Sequence, residues 1–102
     1  MRKPRVYISM RDPRFRYEDA LNFGSEVVPL LNQEIDLAFG LDRSKKQIES
    51  KLLDFDPELD YIIVTADPVC TFLLGRMSAK FKSINLLKWD NRSFRYYPVV
   101  IK

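Results

Sequence analysis

Histidine is absent from the 102 residues and cysteine occurs once, at Cys70. A single thiol forms no internal disulfide. Without imidazole neither a Ser/His/Asp triad nor a Cys/His pair is available, and a zinc site lacks its usual donors. No catalytic set, metal site or cofactor is therefore expected. Glycine occurs three times, and neither GxGxxG nor GxxxxGK[ST] is present, so a glycine-rich phosphate loop is excluded. No apolar run approaches the ~20 residues that span a bilayer. The basic start Met1-Arg2-Lys3-Pro4-Arg5 leads into Val6-Tyr7-Ile8 and further arginines rather than into a signal-peptide core, so the chain is expected to stay in the cytoplasm with no membrane partner.

What is present suits one compact α/β domain over residues 1–102, since 46% of the side chains are hydrophobic and the length is too small for two ordinary domains. The net charge of +3 and the pI near 9.1 are mild, because 14 acids offset 17 bases. The distribution is more informative. Arg2, Lys3, Arg5, Arg11, Arg14 and Arg16 fall in the first sixteen residues against the single acid Asp12. With aromatics interleaved as far as Tyr17, this segment is a candidate nucleic-acid contact, carried by Arg2, Lys3, Arg5 and Arg16.

Val6 to Ser9 is β-rich and is broken by Arg11-Asp12-Pro13-Arg14, which marks a first strand. The polar stretch from Arg14 to Asp19 is expected to be a connecting loop, with a helical turn from Asp19 to Phe23 stopped by Gly24. Pro29 within Val27-Val28-Pro29-Leu30-Leu31 would disrupt a helix interior but suits an edge strand. Gln33 to Gly40 alternates like a strand and also fits a helical stripe, and is assigned as an irregular or short β segment. Leu41, Ile48, Leu52 and Phe55 follow helical spacing, which predicts a helix from about Arg43 to Leu53 with Asp42 as its cap. The acids in Asp54-Phe55-Asp56-Pro57-Glu58-Leu59-Asp60 alternate as in a calcium loop, but Leu59 and Thr65 stand where such a loop needs glycine and glutamate. A solvated helix-to-strand loop is expected there instead.

Asp60 to Ile101 organises the rest: strand, turn, helix, strand, tight turn, strand. Tyr61 to Val64 is the third strand, and Thr65-Ala66-Asp67-Pro68 supplies an N-cap and a first-turn proline. The helix that follows places Cys70, Leu73, Leu74, Met77 and Phe81 on one face, so Cys70 reads as core filler, and Gly75 with Ala79 reads as a seam for close packing on the sheet. Ile84 to Trp89 and Phe94 to Ile101 form a hairpin across Asp90-Asn91-Arg92-Ser93, its last strand at an edge because of Pro98. Trp89, Phe94, Tyr96 and Tyr97 are expected to serve packing and cross-strand pairing more than base stacking.

The lead-in "DFDPELDY", the apolar strand and helix after it, and the hairpin "INLLKWDNRSFRYYPV" resemble small bacteriophage proteins, with "YEDALNFG" at Tyr17 to Gly24 as a fainter likeness. The resemblance covers mainly residues 54–101. It implies a virus-encoded accessory protein acting inside a bacterial host, and it carries over no functional residue.

The expected architecture is a small two-layer or three-layer α/β sandwich, mainly parallel, with the first and third strands adjacent at its centre and the antiparallel hairpin at one side. Ligands of such sheets sit beyond the carboxyl ends of the strands, which nominates Ser9, Arg11 and Arg14 after the first strand and Thr65 and Asp67 after the third. Three function classes follow. A non-enzymatic module that binds a protein partner or itself comes first, because the clear features are architectural and edge strands accept partners. A nucleic-acid binder comes second. A nucleotide-binding protein or enzyme comes third, since Asp67 and Asp90 have no base or metal set beside them.

Overall fold

The computed structural model describes residues 2–9, 18–31, 41–63 and 68–102. Five strands form one sheet in the order β2-β1-β3-β4-β5: β1 is Val6–Ile8, β2 Val27–Pro29, β3 Tyr61–Ile63, β4 Ile84–Asp90 and β5 Arg95–Ile101. The first four run parallel; β4 and β5 pair antiparallel, with Ile84 opposite Ile101 and Asp90 opposite Arg95. As expected, β1 and β3 are central neighbours, Tyr7 pairing with Ile62, and the proline-bearing strands β2 and β5 occupy the edges. Helix α1 spans Asp42–Leu52, α2 spans Pro68–Met77, and a short 3₁₀ helix spans Glu18–Asn22.

Strand alternation divides the apolar residues between two cores. Tyr7, Ile62 and Leu86 face α1 and α2, meeting Ile48 and Leu52 from the first helix and Cys70, Leu73 and Leu74 from the second, with Phe55 and Phe81 filling the end. Phe55 meets Tyr7 edge-on at 5.3 Å and Phe81 at 5.2 Å. On the opposite face Val6, Ile8, Ile63, Leu87 and Tyr96 gather around Ala20 of the 3₁₀ helix, so among the described residues one face is covered by two helices and the other by a short 3₁₀ helix.

Local details differ from the sequence reading in two places. Asp42 lies within the first turn of α1, and Leu41 occupies the N-cap position without a side-chain cap, so the acid favours the helix through the positive end of its dipole instead. Gly75 is exposed, and a Cβ added there would meet nothing within 4 Å; the close helix-to-sheet seam expected from Gly75 and Ala79 is absent because both lie on the solvent side of the second helical run. Gly24 has the role Gly75 lacks: a Cβ would come within 2.9 Å of Val6 Cγ2 and 3.1 Å of the Arg5 and Pro4 backbone. The predicted segment at Gln33 to Gly40 lies outside the described residues.

Among the described residues no helix is long and apolar enough to cross a membrane, and no group of three or more Cys, Asp or Glu could hold a metal ion.

Candidate functional site

The chain leaves β1 outward to β2, then crosses back past β1 to β3 and continues to β4. That reversal makes the crevice between the carboxyl ends of β1 and β3 the topological switch point, where open α/β sheets place ligands. Ser9, directly after β1, is 1% exposed, and its carbonyl accepts the Leu31 amide at 2.9 Å, extending the ladder to β2. The other residues nominated for this rim, Arg11, Arg14, Thr65 and Asp67, lie outside the described residues, as does Arg16 of the cationic segment.

Arg2, Lys3 and Arg5 precede β1 and therefore sit at the amino end of the sheet, away from that rim. Two of the three charges are engaged within the fold. Arg5 Nε pairs with Glu26 at 2.9 Å. Arg2 grips the Asp60 carboxylate with both terminal nitrogens, Nη1 at 2.8 Å and Nη2 on the second oxygen, and Nη2 also donates to the Asp54 carbonyl at 2.8 Å. Lys3 is exposed.

Asp60 is the residue that the reading of a solvated acidic loop missed. It is fully buried and accepts four hydrogen bonds: two from Arg2, one from the Arg5 amide at 2.8 Å and one from the Asp56 amide at 2.8 Å. Burial pushes the Asp60 carboxyl up, but Arg2 and the two amides together outweigh it and hold the group below its usual range. The available signal was position. Asp60 immediately precedes β3, and a carboxylate at the amino end of a central parallel strand faces the open amides of neighbouring segments. The remainder of the loop is solvated as expected, Asp54, Asp56 and Glu58 all being exposed.

The second concentration of polar and aromatic chemistry is the hairpin. Asp90 Oδ2 accepts the Ser93 hydroxyl at 2.6 Å, the Ser93 hydroxyl lies 3.0 Å from the Tyr97 hydroxyl, and Arg95 Nε donates to that hydroxyl at 2.8 Å. The Ser93 hydroxyl, with the turn amides, holds Asp90 below the usual carboxylate range; Ser93 and Arg95 lower Tyr97. Trp89 stacks edge-on against Tyr96 at 5.0 Å, the cross-strand aromatic pair the sequence implied. The expectation of packing fails for Phe94 and Tyr97, which are exposed. Phe94 is also not the first residue of β5 but the last of the turn, at φ 53°.

Asp19, Asn22 and Phe23 of the 3₁₀ region face Phe94 and Tyr96 across a cleft of about 390 Å³. A second hollow of about 440 Å³ lies where β4 runs past the end of β3, bounded by Ile63, Leu87, Trp89 and Tyr96 among others.

No curated protein and no solved structure matches the chain. A family model does, that of the phage Pam3 gp32-like proteins, over residues 4–102. It covers the switch-point sheet and the hairpin alike, so the bacteriophage likeness seen in the second half extends across nearly the whole sequence, and the chain belongs to the phage Pam3 gp32-like family.

Proposed function

We propose that this phage-family domain is a non-enzymatic binding protein that docks on another protein in the host cytosol through the outer flank of its C-terminal hairpin. The observation that carries the reading is the placement of apolar surface. Of eight exposed large hydrophobics among the described residues, Phe94, Tyr97, Val99, Val100 and Ile101 fall on the turn and the edge strand β5. Isolated exposed apolar residues are ordinary, whereas five on one hairpin, mixing aromatic and aliphatic side chains, have the character of an interface.

The chemistry of the strand supports a partner other than a second copy. Pro98 pairs with Leu87, and a residue without an N–H fits only the non-hydrogen-bonded sites of that ladder, so its backbone faces the free edge. A second β5 paired antiparallel about Pro98 would set two prolines opposite each other and lose both central bonds. Side chains on the flank, rather than edge amides, then supply the contact. Residues 84–102 carry Lys88, Arg92, Arg95 and Lys102 against Asp90 alone, which suits an apolar surface rimmed with carboxylates. Nucleic acid is the weaker reading for the arm, because Glu26 and Asp60 already occupy Arg5 and Arg2.

Affinity capture from nuclease-treated host lysate compares the wild-type chain with the double variant Val99→Glu, Ile101→Glu. A protein retained by the first and lost by the second, with both melting within a few degrees, supports the reading. Retention indifferent to the substitutions, or abolished by nuclease, overturns it, and light scattering that shows a dimer would assign the flank to a second copy.

A further inference from the structure

Phe94 is the one non-glycine residue in the left-handed backbone region among the described residues, at φ 53°. That conformation crowds any Cβ and is normally left to glycine or asparagine. Burial does not compensate, because Phe94 is 68% exposed. An aromatic ring held at a conformational cost and displayed to solvent contributes little to folding, and strained positions of this kind concentrate where a ligand is gripped.

The cleft beside it gives that ring something to act with. Phe23 and Tyr96 form further aromatic walls, and Asp19 and Asn22 supply polar groups from the 3₁₀ helix. Because β5 starts where β4 ends, Asp90 opposite Arg95, the cleft opens at the same end of the sheet as the carboxyl ends of the parallel strands.

We propose that this cleft binds a nucleobase carried on a phosphate, with Phe94 as its stacking platform. Flat rings accept a planar heterocycle whatever its identity. Asn22 both donates and accepts hydrogen bonds and Asp19 accepts them, which matches the mixed edge of a base. Arg92 and Arg95 flank Phe94 in sequence, and Asp90, the acid of the hairpin, is turned onto Ser93 and the turn amides. Arg95 of the lining offsets Asp19, and Arg92, two residues from Phe94 in sequence, adds a further cation, so an anionic tail is favoured over a cationic ligand. The cleft shares Phe94 and Tyr97 with the protein-binding flank, but Val99 and Ile101, the residues changed to test that flank, are not part of it, so the two readings fail separately.

The test titrates the full chain with the four ribonucleoside monophosphates, with inorganic phosphate and with a short single-stranded oligodeoxynucleotide, reading amide chemical shifts of Asn22 and Phe94 and the heat of binding. Wild-type protein should respond to base-bearing probes and not to phosphate alone. Phe94→Gly should weaken that binding roughly tenfold or more, with a melting temperature unchanged or raised, while Phe94→Tyr retains it. Equal affinity for monophosphate and oligonucleotide identifies a free nucleotide as the ligand. A much tighter, steeply salt-dependent oligonucleotide complex identifies a single strand. The proposal is overturned by the absence of binding to every base-bearing probe, by binding that survives Phe94→Gly, or by a lowered melting temperature of that variant, which would make the ring structural.

Discussion

Arg2 and Asp60, fifty-eight positions apart, meet as a bidentate pair in which the carboxylate is wholly buried and the arginine side chain about a third exposed. The pair binds the N-terminal arm to the loop after α1 at the point where β3 enters the sheet, and the backbone repeats the link through the Tyr61 amide on the Arg5 carbonyl at 3.0 Å. Two chain segments remote in sequence are thereby registered at the amino end of the central strands.

Asp60→Ala should cost roughly 3–5 kcal/mol, because it leaves buried amide donors without an acceptor as well as removing the pair. A carboxyl whose folded value is depressed contributes stability above its unfolded value near 4, and loses that contribution as pH falls through the folded value. Wild-type protein should therefore resist acid until below about pH 4, and Arg2→Ala should move the acid transition upward. Circular dichroism against pH measures both; an Arg2→Ala midpoint equal to wild type would show that the amides alone hold the charge.

Leu73 lies in the core between α2 and the sheet, so Leu73→Asp should unfold the domain through a buried unpaired carboxylate. Cys70, fully buried beside it, should react with a thiol reagent only at the rate of unfolding. Rapid labelling of the native protein would place the thiol at the surface and contradict the packing of that helix.

Two glycines should respond oppositely to alanine. At Gly24 the new methyl collides with Val6 Cγ2 and with backbone, so Gly24→Ala should destabilise by about 1–3 kcal/mol. At Gly75, exposed on a helix with open space, Gly75→Ala should stabilise by up to about 1 kcal/mol. Urea denaturation of the two variants under one condition measures the signs.

Pro98→Val restores an amide donor to the free edge of β5 beside Val99 and Val100. Self-association should increase, since an unbroken apolar edge is a template for strand addition. Sedimentation velocity over a concentration series would show it as a rise in mean mass relative to wild type, and an unchanged monomer would mean that the flanking charges alone protect the edge.

The sequence by itself determined the sheet and the helices that cover it. Short continuous apolar, β-rich runs bounded by turn residues marked Val6 to Ile8, Tyr61 to Ile63 and the hairpin strands, and the stripe Cys70, Leu73, Leu74 marked the buried face of α2, because these patterns depend only on backbone geometry and on water's exclusion of apolar surface. Pro29 and Pro98 announced edges because a missing donor is a local property. Tertiary structure decided what depends on distant neighbours. Asp60 looked like one more acid in a solvated loop until Arg2 and the Arg5 amide arrived from the other end of the chain. Phe94 looked like a packing aromatic until the turn placed it at φ 53° and beyond the cover of the 3₁₀ helix. A carboxylate's burial and a ring's exposure are set by which segments converge in space, and no periodicity in the surrounding residues encodes that convergence.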